Sequence, residues 1–299
     1  MHSHNHSNHN HHSAISLNSI FRFGIILNLT FVIVEFIMGF LYDSVGLLSD
    51  AGHNMSDVVS LVLAMLAFRL SKIHASKKYT YGYKKATILV SLVNAIILIV
   101  AVFFIVVESI EKIITPQSIN GVAVVWTAAI GVIINAATAW LFVRDKNKDL
   151  NIKGAYLHMV ADALVSVGVV VSGIIIMTTG WSLIDPVIGL IIAAVIVFST
   201  WNLLRESLNL SIDGVPSGIN YESIKQIIMS NADVKEIHHL HIWALSTTQN
   251  ALTTHIVLSD IDRMETVKTD IRQLLRKAGI DHATLEFELD GIECENEFD

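Results

Sequence analysis

Six stretches of this 299-residue chain are almost empty of formal charge, and that pattern limits its fold more than any other feature. Residues 23–42 carry only Glu35, and residues 44–68 only Asp50 and Asp57. Residues 86–107 and 113–143 carry none; 154–184 carry only Asp162, and 186–204 none. A helix that crosses the hydrocarbon core of a bilayer needs roughly 20 mostly apolar residues, and each stretch is about that long. Lipid offers no hydrogen-bond partners, so a spanning segment must satisfy its own backbone, which makes helices the expected form. Charged residues make up 16% of the chain against about 25% in an ordinary soluble domain. That shortage argues against a soluble enzyme, and the apolar content excludes disorder over most of the length. The single cysteine, Cys294, excludes an intramolecular disulfide framework and any multi-cysteine zinc motif. The first apolar run is too long, and too poor in preceding basic residues, for a signal peptide.

The connections set the orientation. Arg69, Lys72, Lys77, Lys78, Lys84 and Lys85 lie between the second and third spans. Arg144, Lys146, Lys148 and Lys153 lie between the fourth and fifth, whereas the loops on the other side carry only Lys112. The positive-inside rule then places both termini in the cytoplasm. Three parts are expected: a histidine-rich tail over residues 1–17, a six-span domain over 18–208, and a cytoplasmic domain over 209–299. The last part is acidic, with 7 Lys+Arg against 16 Asp+Glu, while residues 1–208 hold 13 against 11. An acidic domain is a poor partner for nucleic acid. Its pattern predicts helix over 221–231, strand over 234–245, a turn at 247–250 and strand over 251–258. Helix follows over 262–278, with Asp262 as N-cap and Gly279 as the stop, then strand over 282–289. Ala283, Leu285, Phe287 and Leu289 would face the core of this αββαβ sandwich, leaving His282, Glu286 and Glu288 on the other face. The first dozen residues hold six histidines among Ser and Asn, and their irregular spacing points to a metal-collecting tail rather than a purification tag.

Acids inside a bilayer cost about 2.5–3.5 kcal/mol each on insertion scales, so each needs a reason. Residues 50–57 read DAGHNMSD and residues 158–162 read HMVAD. Each contains His-x-x-x-Asp, which sets an imidazole and a carboxylate one turn apart on one helix face. Two such helices facing each other would offer His53, Asp57, His158 and Asp162, a four-coordinate N₂O₂ set suited to a borderline cation such as Zn²⁺. Asp50 would stand behind the ligands or on the path into the site. Asn28, Glu35, Asn94 and Asn135 would face the bundle interior. With neutral imidazoles the empty set carries −2, which one divalent cation or two protons would cancel. Histidine must lose its proton to bind metal, so metal and protons compete. Metal/proton antiport, near one metal to two protons, follows as the expected activity.

These segments, together with residues 44–57 (SVGLLSDAGHNMSD), 156–163 (YLHMVADA), 239–245 (HLHIWAL) and 250–255 (NALTTH), resemble the cation diffusion facilitators over nearly the whole chain. The resemblance implies a six-helix bundle with a ferredoxin-like, metallochaperone-like cytoplasmic domain and a homodimer that alternates its access. It implies that His53, Asp57, His158 and Asp162 form the transport site, in the version associated with zinc, and that Lys85 and Asp213 form a charge interlock at the dimer junction. It implies that His238, His255 and Glu288 hold a regulatory zinc. A second zinc site that some relatives carry between spans two and three is not expected, because Tyr79 and Tyr83 stand in its place. Zn²⁺ is therefore expected as cargo and as a regulatory ion, with no organic cofactor, in a bacterial inner membrane. The competing readings are an intramembrane zinc enzyme and a metal-gated channel or sensor. Four ligands would leave an enzyme no open position for water.

Overall fold

The computed structural model describes residues 17–41, 45–115, 121–181 and 183–289. The histidine-rich tail and Cys294 lie outside these residues, as do the side chains of Asp50 and His53, which are described only as turns of a helix backbone.

All six expected spans are helices: α1 (Leu17–Leu41), α2 (Val45–Leu70), α3 (Lys85–Ile114), α4 (Gly121–Val143), α5 (Leu150–Thr179) and α6 (Ile184–Ser211). Most outlast the charge gaps that predicted them. α3 runs on through Glu108, Glu111 and Lys112 to Ile114, where Lys112 pairs with Glu108 one turn back at 2.9 Å. Consequently Ile113 and Ile114 end α3, and α4 starts at Gly121 rather than at residue 113. α5 starts at Leu150, ahead of its apolar run, because Asp149 caps it. The Asp149 carboxylate accepts hydrogen bonds from the backbone amides of Asn151 and Ile152, satisfying two of the donors that a helix start leaves without partners.

The bundle turns large apolar side chains outward and buries several polar ones among its apolar contacts, which is the arrangement a lipid solvent favours. Phe103, Phe104, Trp126, Trp140 and Phe198 stand outward and exposed, while Asn28, Glu35, Asn94 and Asn135 are buried as expected. Asn28 donates to Gly24 O and Thr138 Oγ1, and Asn54 donates to Glu35 at 2.6 Å. Two apolar clusters organise the helices. One joins α1, α2, α4 and α5 through Phe21, Leu61, Phe142 and Met159; the other joins α3, α5 and α6 through Leu98, Ala161 and Ile196. α5 takes part in both. It meets α6 closely at Gly168, where a Cβ would sit 2.5 Å from Ile192 Cδ1, the small-residue contact by which membrane helices approach.

The C-terminal unit comprises α7 (Tyr221–Met229), β1 (Val234–Ser246), β2 (Gln249–Leu258), α8 (Met264–Lys277) and β3 (His282–Leu289). β1 and β2 form an antiparallel hairpin, and β3 returns parallel to β2 after α8. α7 and α8 cover one face over a core that includes Ile228, Leu252, Ile256 and Ile271. Three details depart from the expected pattern. The hairpin is tighter, so β2 begins at Gln249. A single 3-10 turn, Ile261–Arg263, precedes α8, and its cap is Asp260, which accepts from the amide of Asp262; Asp262 does not cap the helix. Leu289 is exposed at the strand end, while Ala283, Leu285 and Phe287 pack on the core. Gly279 ends α8 with φ +90°, a conformation that L side chains rarely adopt.

Candidate metal centre

α2 and α5 pack side by side, and the side chains at their contact are Asp57, His158 and Asp162. His158 Nε2 lies 2.8 Å from Asp57 Oδ1 and 3.7 Å from Asp162 Oδ2. One donor atom from each of the three falls within 4.8 Å of the others. Relative exposures are 0%, 4% and 7% for Asp57, His158 and Asp162, so the cluster is sealed from bulk water. With zinc–ligand bonds of about 2.0–2.2 Å, donors around a tetrahedral ion stand roughly 3.3–3.6 Å apart. The observed separations bracket that range, so small side-chain adjustments would admit an ion. His53 stands one turn before Asp57 on α2, but its side chain, like that of Asp50, lies outside the described residues. The sequence pattern therefore finds three of its four expected donors together.

The charge environment explains why these acids persist at such a depth. Two carboxylates and an imidazole in a dry site favour any occupant that brings positive charge. A divalent ion is one such occupant and protons are another.

A second cluster lies on the open face of the C-terminal sheet. His238 and His255 are opposite each other in the β1–β2 register, and Glu288 reaches both from β3. Glu288 Oε1 is 2.6 Å from His255 Nδ1, and Oε2 is 3.2 Å from His238 Nε2. Here too a donor atom from each residue falls within 4.8 Å of the others. Glu288 is half-buried by these contacts, whereas His282 and Glu286 are exposed as expected. His239 is a ring neighbour of this cluster that sequence periodicity misses. Adjacent strand residues point to opposite faces, but β1 is irregular between His238 and His241, and His239 has φ 49°. The bulge turns its ring toward the other two, with centroids 5.2 Å from His238 and 5.1 Å from His255. A double histidine in a strand was the only available signal, and it does not reveal a bulge.

The two domains meet through specific bonds. Lys85, at the start of α3, pairs with Asp213 and donates to Ala244 O in β1 at 3.3 Å. The expected pair between Lys85 and Asp213 thus forms within the protomer. Thr247, in the β1–β2 turn, donates through Oγ1 to Asp149 Oδ2 at 2.5 Å and through its amide to Thr87 Oγ1 at 3.1 Å. In the α2–α3 connection, the rings of Tyr79 and Tyr83 meet at a tilt of 39°, their centroids 4.8 Å apart.

Comparison with known proteins agrees with both halves of the architecture. Residues 22–210 match the cation efflux transmembrane domain, and residues 216–288 match the cytoplasmic domain of cation efflux proteins. A cadmium, cobalt and zinc/H⁺–K⁺ antiporter of Bacillus subtilis is 33% identical over 96% of this chain and 94% of its own length. The metal cation efflux system protein CzcD of Cupriavidus metallidurans is 35% identical over 96% and 90%, and the zinc transporter ZitB of Escherichia coli is 32% identical over 96% and 92%. The chain is a multi-pass membrane protein of the cation efflux, or cation diffusion facilitator, family, which is a family of transporters and not of enzymes.

Proposed function

We propose that this protein exports a divalent metal ion, zinc foremost and cadmium or cobalt with it, from the cytoplasm in exchange for protons. The observation that carries this reading is the buried cluster of Asp57, His158 and Asp162 between two membrane-embedded helices. His53 is assigned to the same site as its fourth ligand and Asp50 to the approach. Zinc is named because nitrogen and oxygen donors at near-tetrahedral spacing suit it, and because relatives along nearly the full chain are named for zinc transport. Proton coupling follows from the charge argument: a site carrying −2 is tolerable in a dry interior only when an ion or protons cancel it. The metal and the protons therefore occupy the site in turn, and loading from opposite sides makes the exchange vectorial.

Residues 1–17 serve as a cytoplasmic metal-collecting tail, 18–208 as the transport domain and 209–299 as a regulatory and dimerising domain. The chain works as a homodimer in the bacterial inner membrane with both termini in the cytoplasm. His238, His255 and Glu288, joined by His239, hold a regulatory zinc on the cytoplasmic sheet, and the Lys85–Asp213 pair acts as a hinge between the domains.

Proteoliposomes test the transport reading. With an acidic lumen and zinc outside, the full chain should accumulate zinc saturably, release protons, and stop when a protonophore collapses the gradient. Flux that ran unchanged without a pH difference and moved no protons would overturn the antiport reading in favour of a metal-gated channel. Replacing potassium by sodium on both sides separates a proton-only exchange from one that also uses potassium.

A further inference from the structure

A cavity of about 980 Å³ lies where the α4–α5 connection, the last turns of α6 and the β1–β2 turn meet. Four cations line it, Lys146, Lys148, Lys153 and Arg205, against two acids, Asp149 and Glu206. Both acids are already engaged: Asp149 caps α5 and accepts from Thr247, and Glu206 accepts from the amide of Ser217 at 3.1 Å. Lys148 is held by Asp145 at 2.5 Å, and Lys146 lies over the Tyr156 ring at 4.2 Å. Lys153 and Arg205 have no acidic partner among the described residues. Two unneutralised cations thus share one polar cavity with room for far more than a monatomic counterion.

The depth of the cavity identifies the anion. The apolar run of α6, Pro186–Ser211, ends here, and Trp201, one turn before Arg205, is 56% exposed. Tryptophan at the end of a span marks the headgroup level, where the bilayer presents its phosphates. Basic pockets between helix ends on the cytoplasmic side are suited to anionic headgroups, and the volume matches that of small-molecule sites, about 300–1,000 Å³. We infer that this cavity binds the phosphate headgroup of an anionic phospholipid, with Lys153 and Arg205 as its principal cations. The lipid would bridge the start of α5, the end of α6 and the β1–β2 turn. The inference rests on membrane insertion alone and does not depend on metal transport.

Native mass spectrometry of the full chain in detergent, supplied with phosphatidylglycerol or phosphatidylcholine, tests it. Wild type should retain phosphatidylglycerol about tenfold over phosphatidylcholine. Lys153→Gln/Arg205→Gln should abolish most of that preference. The charge-keeping Lys153→Arg/Arg205→Lys should restore it, and Lys77→Gln/Lys78→Gln in the exposed α2–α3 connection should leave it intact. Should the Gln variant fail to fold, a photoreactive phosphatidylglycerol on the unaltered chain should label peptides within 146–153 and 202–217. Equal retention of the two lipids, labelling elsewhere, or full displacement by millimolar inorganic phosphate would overturn the assignment, the last by making free phosphate the ligand.

Discussion

Asp57 is fully buried, and its partner His158 comes from a helix about a hundred residues further along the chain. The sequence already marks both residues, because a bilayer makes each ionisable residue conspicuous and the four-residue spacing repeats. Replacing a ligand should therefore be costly. For His158→Ala or Asp162→Asn, zinc affinity measured by chelator competition should fall at least about 100-fold, since even partners behind a metal's ligands are typically worth 10–100-fold. Proton-driven zinc uptake should disappear while the purified protein remains folded. Uptake that survived in Asp162→Asn would show that the cargo passes elsewhere. The cytoplasmic cluster was only partly legible. Alternation along a strand sends His238 and His239 to opposite faces, and the left-handed backbone at His239 that reverses this leaves no mark in a single sequence. Asparagine tolerates such a φ, so His239→Asn keeps the bulge and removes one imidazole. Zinc binding to the cytoplasmic cluster should weaken about tenfold in that variant, read by calorimetry. The transport site should titrate as in wild type.

At the scale of elements, charge gaps located all six helices but not their ends. A helix boundary is decided by caps and by partners outside the run, and those are non-local. Asp149 illustrates this: one oxygen caps α5 and the other accepts from Thr247 in the β1–β2 hairpin. The same helix carries His158 and Asp162 two to three turns inside. Asp149→Ala should cost about 1 kcal/mol of stability through the lost cap, seen as a lower thermal midpoint. Thr247→Val keeps the cap and removes only the bridge to the hairpin. If the hairpin communicates with the transport helix, Thr247→Val should lose the dependence of flux on occupancy of the cytoplasmic cluster, with its unfolding midpoint nearly unchanged. Identical zinc activation curves for wild type and Thr247→Val would disprove that route.

For the whole molecule, the ion pair between Lys85 and Asp213 joins two domains but is exposed on both sides. Exposed pairs contribute little to stability, so Lys85→Ala should leave the thermal midpoint within about a degree or two. Its effect should fall on turnover, and the exchanged pair Lys85→Asp/Asp213→Lys should recover turnover if mutual attraction is what matters. The two apolar clusters have a wider consequence. The proposed metal ligands come from α2 and α5; both helices belong to the four-helix group with α1 and α4, and α5 also joins the α3–α6 cluster through Ala161. On that proposal the ion would rest against the one helix that the two clusters share. When the transporter turns from one side of the membrane to the other, its passenger need not be handed across a gap. On the proposed reading α5 would keep its hold, while α3 and α6, packed against it, set which compartment the ion sees.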